Sequence, residues 1–158
     1  NKKLQIAFKP HPILKENLYK HKSWGKEKTD QYYLSWKNHE RGQLNESEYI
    51  NLFFHSDAMI TDSASFIAEY LYFDKPCFFS MKDKHVKERF NSFGKKIFDH
   101  LYQGEAEKDL LKFIKSVVLD ENDTLKSKRN VFYKNVILPK SNMTASENIF
   151  NEINRALC

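Results

Sequence analysis

Glycine and proline are scarce in this sequence, with four of each among 158 residues. Their scarcity excludes a collagen-like chain and a string of linker-joined modules, and no internal repeat of about 20 to 50 residues is present. Cysteine is scarcer still, since Cys77 lies in an apolar segment and Cys158 is the last residue. Two such cysteines form neither a disulfide framework nor a zinc-ligand spacing, so we expect a reducing, cytoplasmic setting.

Long apolar runs are also missing. No apolar segment approaches the roughly 18 residues that a transmembrane helix needs to span a bilayer. The chain opens at Asn1 directly in a strand-like pattern, with no initiator methionine and no targeting segment. We therefore expect a piece of a longer protein that lacks an amino-terminal domain. Residues 1–158 are the right length for one domain, and their 41% apolar and 15% aromatic content predicts a packed core.

The net charge of +5 favours anionic partners but does not choose among nucleic acid, anionic lipid and phosphorylated small molecules. Short apolar segments at 58–61 and 77–80 are typical of buried parallel strands. An alternating strand at 4–8 precedes them, and helical patterns lie between the strands. This alternation predicts the α/β class, as a Rossmann-like, three-layer parallel sheet with helices on both faces.

The remaining elements are predicted from apolar spacing and capping residues. Asn45 with Glu48 three residues later indicates a helix start, and that helix should end near residues 55–56. A short strand is expected near Tyr32–Ser35, within an aromatic-rich stretch. Apolar stripes at helical spacing predict three further helices, at 105–119, 125–138 and 141–157.

Two polar clusters follow predicted strands, at the end of a parallel sheet where ligands bind. The first contains Thr61, Asp62, Ser63 and Ser65. A helix that starts here offers free backbone N–H groups and serine hydroxyls to a phosphate. The alternative is that Asp62 or Ser63 simply caps the helix.

The second cluster is the loop Lys9–Pro12, in which two prolines hold His11. A rigid imidazole could donate to a phosphate oxygen, and Lys9 could add a point charge. Glu69 lies one turn beyond Ser65, where its carboxylate could accept hydrogen bonds from ribose hydroxyls. An ordinary loop histidine and an exposed glutamate are the alternatives. The hypothesis requires His11 and the serines to converge on one diphosphate.

Other kinds of site find little support in the sequence. It has no glycine-rich phosphate loop, and its histidines do not show the spacing of zinc ligands, so no metal is expected. Ser63 lacks the flanking glycines of a nucleophile elbow. Aromatic residues and lysines interleave at 19–37 as in single-strand binders, but no recognised nucleic-acid-binding motif accompanies them.

Two segments resemble the CDP-glycerol glycerophosphotransferase family, which builds teichoic acids and related capsular polymers. The first is Phe-Lys-Pro-His-Pro at 8–12, and the second runs from Met59 through Ile-Thr-Asp-Ser-Ala-Ser to Asp-Lys-Pro at 74–76. Ala-Ser-Glu-Asn-Ile at 145–149 is similar to the family's closing helix. The resemblance implies the carboxy-terminal, nucleotide-binding domain of a two-domain GT-B transferase, here residues 1–158.

The same resemblance assigns roles to individual residues. His11 would act on the donor pyrophosphate as the catalytic residue, and Glu69 would lie near the ribose. The phosphate-binding residues would be Lys9, Thr61, Asp62, Ser63 and Ser65. No metal or cofactor is implied. The donor would be CDP-glycerol or another cytidine-linked compound, and the acceptor a polymer or a lipid-linked chain.

The resemblance also implies that this domain alone is inactive, because the general base would lie in the missing amino-terminal domain. The full-length protein would contact the cytoplasmic membrane face peripherally, and nucleic acid is not an expected partner. Ser63-Ala64-Ser65 departs from the family's Tyr-Ser-Ser, and Arg89–Gly94 occupies the region of its Arg-Gly-Phe-Tyr segment. Two alternatives stay open: a sialyl, polysialyl or Kdo transferase that uses a CMP-sugar, and a non-enzymatic nucleic-acid-binding or scaffold module.

Overall fold

A computed structural model describes residues 4–81, 83, 85–139, 141 and 143–157. The chain divides into two compact units, one reaching Ser56 and the other starting at Asp57. In each unit, helices cover a small parallel sheet. The predicted α/β class with parallel strands is therefore confirmed.

The first unit contains two parallel strands, β1 (Ile6–Phe8) and β2 (Gly42–Leu44), with Phe8 opposite Leu44. The strand predicted at 4–8 thus forms over the residues nearest the Lys9–Pro12 loop, whereas β2 had no prediction. Two of its three residues are glycine and glutamine, which give no strand signal. The helices of this unit are α1 (Leu14–Lys20), α2 (Gly25–Asn38) and α3 (Ile50–His55).

The strand predicted near Tyr32–Ser35 is wrong, because these residues lie inside helix α2. Thr29 and Tyr33 are buried on one face of this helix, at a spacing of four residues. The ring of Phe8 in β1 packs against three aromatic rings of this helix, with centroids 5.6 Å from Tyr32, 6.0 Å from Tyr33 and 5.1 Å from Trp36. The aromatic content that suggested a strand is therefore the buried stripe of a helix.

The capping box predicted at Asn45 is also wrong, since helix α3 begins only at Ile50. The Asn45 side chain instead accepts a hydrogen bond from the backbone N–H of Ser47, at 3.2 Å. Such a local bond forms a turn and competes with a helix start. The predicted end of the helix near residues 55–56 is confirmed.

The second unit is built on three parallel strands in the order β3-β4-β5. They are β3 (Met59–Thr61), β4 (Cys77–Ser80) and β5 (Tyr102–Gly104). The two predicted strands are confirmed, and β5 was not predicted. The α-helices that the structure describes in this unit are α4 (Ala64–Tyr70), α5 (Ser92–Phe98), α6 (Glu107–Phe113), α7 (Lys126–Phe132) and α8 (Ala145–Leu157).

Helices lie on both faces of this sheet, as two consecutive residues of β4 demonstrate. Phe78 packs against Phe113 of α6, with ring centroids 5.4 Å apart. Phe79 packs against Phe98 of α5, at 4.9 Å. Because successive side chains of a strand point to opposite faces, α5 and α6 cover opposite sides. The sheet of the second unit therefore forms the middle of three layers.

The long predicted helices are each divided or shortened in the structure. Helix α6 passes into a π-helical turn at Ile114–Leu119, and α7 passes into another at Tyr133–Ile137. Helix α8 begins at Ala145 rather than at Ser141. Thr144 and Glu147 explain its start, because each side chain accepts a hydrogen bond from the backbone N–H of the other.

A buried arginine, Arg129 of α7, ties distant parts of the second unit together. Only 1% of its surface is exposed. Its guanidinium donates to the Asp74 carboxylate at 3.2 Å and to the Asp74 backbone carbonyl at 3.0 Å. It also donates to the Asp123 carboxylate at 2.6 Å, and Tyr102 of β5 donates to the same carboxylate at 2.9 Å. One charged network thus joins β5, α7 and the turn before β4.

Burial alone would raise the pKa of Asp123, but hydrogen bonds from Arg129 and Tyr102 and the guanidinium charge outweigh it. The pKa of Asp123 therefore lies below its ordinary value. A carboxyl whose pKa is lower in the folded state stabilises the fold above its unfolded pKa, about 3.9. This stabilisation is lost as the pH falls through the folded pKa.

We expect Asp123→Asn to lower the free energy of unfolding at pH 7 by about 3 kcal/mol, because it leaves a buried guanidinium short of one anionic partner. Urea unfolding followed by circular dichroism measures the change. Asp120→Asn in the same loop is the control, since Asp120 is exposed. Its effect should stay within about 0.5 kcal/mol. The deficit of Asp123→Asn should shrink below about pH 4, and a deficit that persists unchanged at pH 2.5 would contradict the role given to this carboxylate.

The reactivity of the Cys77 thiol in β4 gives a second measure of the stability of the second unit. Cys77 is 1% exposed, and burial raises its pKa to about 12. In a Cys158→Ser background we expect no labelling by an aromatic disulfide reagent at pH 8 until the protein unfolds, because only an accessible thiolate reacts. Labelling should be faster when Asp123→Asn is added. Rapid labelling of the native Cys158→Ser protein would contradict the burial of β4.

Candidate functional site

The strands of the second unit end together at one edge of its sheet, which we call the carboxyl edge. Thr61 ends β3, Ser80 ends β4 and Gly104 ends β5. The three strands are parallel, and Ser80 lies opposite Gly104 in the register. Ligands of α/β sheets bind beyond this edge. The segment that follows β3 is therefore placed where a ligand would lie.

That segment, Thr61–Ser65, contains three hydroxyls and is called the hydroxyl turn below. The Thr61 hydroxyl oxygen accepts a hydrogen bond from the backbone N–H of Ser63 at 3.0 Å. The hydroxyl oxygens of Ser63 and Ser65 are 3.2 Å apart. Thr61 therefore fixes the backbone of the turn, while Ser63 and Ser65 form a hydroxyl pair.

Ser63 immediately precedes helix α4 but does not cap it with its side chain. Its backbone is extended, as in a capping residue, yet its hydroxyl pairs with that of Ser65. The alternative that Ser63 merely caps the helix is not what the structure shows. Asp62 is exposed at the same turn. The arrangement leaves two adjacent hydroxyls that can both donate to an anion.

Glu69 lies on the same side of α4 as Ser65, because four residues make about one helical turn. The opposite side of this helix carries Ile67, which is buried with 1% of its surface exposed. Glu69 itself is half-buried. Within the described part of the chain its carboxylate has no hydrogen-bond or ion-pair partner. Its oxygens can therefore accept hydrogen bonds from a ligand near the hydroxyl turn.

The Lys9–Pro12 loop belongs to the first unit and follows β1 directly. The imidazole of His11 is exposed, and its Nδ1 accepts a hydrogen bond from the backbone N–H of Ile13 at 3.3 Å. In neutral imidazole the proton is then on Nε2, which is the nitrogen able to donate to a ligand. Lys9 donates through its ammonium to the backbone carbonyl of Ser47, at 2.5 Å. The loop thus has a defined histidine tautomer and a fixed lysine.

The Nδ1 contact of His11 is local and is not special to this loop. His21 and His39 make the same contact, each accepting from the backbone N–H two residues later. What distinguishes His11 is its position after a parallel strand, between buried Pro10 and exposed Pro12. This difference makes His21 a useful control for experiments on His11.

The structure brings the predicted residues together in two groups. Thr61, Ser63 and Ser65 share one turn, with Asp62 between them and Glu69 one helical turn away. Lys9 and His11 form the second group in the other unit. In the described ranges, no three histidine, cysteine, aspartate or glutamate side chains cluster as a metal site would require.

Sequence reasoning missed Ser80 as a member of the carboxyl edge. It ends β4 and is exposed, unlike the three buried residues before it. An open cavity of about 530 Å³ lies at the same edge, where Met81, Gly104 and Ala106 contribute to its lining. A serine at the end of a short apolar strand was the available signal, because β4 itself was predicted.

A second cavity, of about 450 Å³, lies against α7 and is lined by Val131, Phe132 and Val136 among others. Its lining is mostly apolar, with Lys128 as its one lysine or arginine. Such a surface suits a diphosphate poorly, because a phosphate must be met by several donors or charges. The carboxyl edge is the better candidate because of the Ser63 and Ser65 hydroxyls, since the cavity at that edge is lined by Glu105 and Asp109 as well as Lys108.

No helix in the part of the chain that the structure describes has both the length and the apolar character needed to cross a bilayer. Neither a curated protein nor a solved structure matches the chain. Residues 1–155 match one protein family, described as CDP-Glycerol:Poly(glycerophosphate) glycerophosphotransferase. The members of this family are transferases with a nucleotide-activated donor and a polymer acceptor. On a match that covers nearly its whole length, the chain belongs to the CDP-glycerol:poly(glycerophosphate) glycerophosphotransferase family.

Proposed function

We propose that this chain binds the donor of a glycerophosphotransferase reaction, CDP-glycerol or a related cytidine-linked compound. The observation that carries the proposal is the Ser63–Ser65 hydroxyl pair at the carboxyl edge, which does not cap α4. Two hydroxyls 3.2 Å apart can donate to two oxygens of one diphosphate. The family match supplies the class of donor.

His11 is proposed to assist the departure of the nucleotide. Transfer to poly(glycerophosphate) forms a bond from an acceptor hydroxyl to the donor's β-phosphorus and breaks the bond to CMP. Negative charge then grows on the CMP phosphate, and a donor placed there lowers the barrier. The Nε2 proton of His11 can serve this purpose, with Lys9 contributing charge to the same loop. We assign the base that takes the acceptor's proton to another part of the protein, so this chain alone binds donor without transferring it.

Glu69 is proposed to bind the ribose of the donor. Its position one helical turn from Ser65 matches the separation of a ribose from its phosphates within a nucleotide. A carboxylate can accept a hydrogen bond from each of the two ribose hydroxyls. In the whole enzyme, binding of this kind would serve the synthesis of a teichoic acid-like or capsular surface polymer. That synthesis would take place at the cytoplasmic face of the membrane.

The proposal predicts that CDP binds this chain more tightly than cytidine, because only CDP has phosphates for the hydroxyl turn. We expect Ser63→Ala and Ser65→Ala to lower the affinity for CDP by about fivefold each, since each removes one hydrogen bond to a charged group. The affinity for cytidine should not change. Isothermal titration calorimetry measures both. Ser127→Ala, which removes an exposed serine of α7, is the matched control.

His11→Ala is expected to lower CDP affinity by about tenfold, whereas His21→Ala should have no effect. Both histidines are exposed, and both accept a hydrogen bond from the backbone N–H two residues later. A difference in CDP affinity between the two variants would therefore be due to the position of His11 after β1. Absence of CDP binding to the unmodified chain at millimolar concentration would overturn the proposed function. Equal losses at His11 and His21 would overturn the role of His11 alone.

The role of Glu69 predicts a dependence on the sugar of the ligand. Glu69→Gln should weaken the binding of CDP by about five- to tenfold, because an amide can replace only part of a carboxylate's acceptor capacity. It should leave the binding of 2′,3′-dideoxy-CDP unchanged. If both ligands lose affinity to the same degree, Glu69 acts on something other than the ribose.

A further inference from the structure

A second arginine, Arg89, lies beyond the end of β4 and has no part in the proposed donor site so far. It ends a short 3₁₀ helix, Val86–Arg89. Its guanidinium donates to the Asp83 carboxylate at 2.9 Å, and 70% of its side chain is exposed. Two sets of contacts hold the chain around Arg89 in place. One set is with the hydrophobic core, and the other is at the end of the sheet.

The core anchor is Phe90, the next residue. Its ring packs 4.7 Å from that of Phe98 and 6.3 Å from that of Phe79, measured between centroids. Asn91 then caps helix α5, because its side chain accepts a hydrogen bond from the backbone N–H of Gly94 at 2.8 Å. A half-buried ring and a helix cap directly after Arg89 hold its backbone in place.

The sheet anchor is Asp83. Met81 continues the sheet past the end of β4, since its backbone N–H donates to the Gly104 carbonyl at 2.8 Å. Asp83 follows two residues later, and two residues span at most about 7 Å. Through Asp83 the guanidinium is therefore held at the carboxyl edge. Strand β3, which leads into the hydroxyl turn, is the neighbour of β4 at about 4.8 Å.

Two other basic side chains in the described part of this segment, Lys87 and His85, have partners other than Asp83. Lys87 donates to Asp99, the residue that follows α5, at 2.9 Å. The imidazole of His85 lies 3.0 Å from Glu88. In a 3₁₀ helix with three residues per turn, Lys87 and Arg89 also point to different sides. Among the described residues 85–89, Arg89 is thus the basic side chain that pairs with Asp83, next to the carboxyl edge.

The Arg89–Asp83 pair can be exchanged at low cost. The Arg89 side chain is 70% exposed and that of Asp83 is 39% exposed, and ion pairs open to solvent stabilise a protein by about 1 kcal/mol or less. A phosphate offers a guanidinium two parallel hydrogen bonds and more charge than one carboxylate. A phosphate that arrives at this edge would therefore displace Asp83 from Arg89.

We propose that Arg89 is a substrate-binding residue that exchanges the Asp83 carboxylate for a phosphate oxyanion at the carboxyl edge. The inference rests on the proposed function, because a substrate phosphate must first be brought to this edge. Two sources have the required chemistry: the donor's diphosphate, and a phosphodiester of the poly(glycerophosphate) acceptor. Asp83 then acts as a placeholder that keeps the guanidinium oriented while no substrate is bound.

The test compares four variants by calorimetry with two probes, CDP and a short glycerophosphate oligomer. Arg89→Ala should lower the affinity for one probe by about tenfold, and Arg89→Lys should retain part of it. Asp83→Asn should raise the same affinity by about two- to threefold, because the competing carboxylate is gone. The Arg89→Ala/Asp83→Asn double variant should show no such gain. The probe that responds identifies the source of the phosphate.

Lys87→Ala is the charge control, since it removes one positive charge two residues away from Arg89. At about 0.15 M salt, where exposed charges are screened beyond roughly 8 Å, it should change either affinity by less than about twofold. Arg89 is exposed, so Arg89→Ala and Arg89→Lys should keep the urea midpoint of the parent chain. Unchanged affinity for both probes in Arg89→Ala, with Ser65→Ala still weakening CDP, would overturn this inference and leave the proposed function standing. If the unmodified chain bound neither CDP nor the glycerophosphate oligomer, both this inference and the proposed function would be overturned.

Discussion

The buried contact between Arg129 and the turn at Asp74 determines where the central strand of the second unit lies. The guanidinium binds both the Asp74 side chain and its backbone carbonyl. Asp74 itself adopts a left-handed conformation, with φ of 49°, which is uncommon for a residue other than glycine. Asn130 adds a hydrogen bond of 2.7 Å to the second carboxylate oxygen. Three side-chain and backbone acceptors thus hold a turn that would otherwise be costly, and β4 begins three residues later.

The position of β4 in turn organises the carboxyl edge. Its Phe78 and Phe79 carry the two helical layers, and its end lies between the ends of β3 and β5. Tyr102 of β5 donates to Asp123, the second carboxylate bound to Arg129, so β5 is fixed by the same charge. The hydroxyl turn after β3 therefore lies at the carboxyl edge, and the geometry of this edge depends on the Arg129 network at the amino-terminal ends of the strands. Chemistry at one end of the sheet relies on buried electrostatics at the other.

The sequence allowed the elements with strong local signals to be predicted. Strands β3 and β4 are short apolar runs bounded by polar residues, and the hydroxyl turn follows from its capping-type composition. Strands β2 and β5 were not predicted, because each has only three residues and two of them are glycine and glutamine. Such short segments show no alternation of apolar and polar residues. Part of the helix at Gly25–Asn38 was predicted as a strand because aromatic residues favour strands locally. In the structure, packing of its aromatic face against Phe8 stabilises a helix instead.

The network of Arg129 could not be predicted for a different reason. Arginine is among the residues least often buried, and Asp74 and Arg129 are 55 residues apart. Nothing in the local sequence joins them. The same limit applies to the candidate site, where the hydroxyl turn is one local segment and could be identified, while Ser80 and Arg89 enter only through the topology that places β4 beside β3.

Arg89 and Arg129 of the second unit show how burial decides what one kind of ion pair can do. Arg129 is 1% exposed and its carboxylates are largely withdrawn from water, so removal of a partner would leave an unpaired buried charge. No solvated phosphate could compensate for that, and the pair is fixed. Arg89 keeps its partner in water, where the free energy of the pair is small and a better-matched anion can replace it. Exposure rather than residue type therefore separates an arginine that maintains the edge from one that is available to a substrate there.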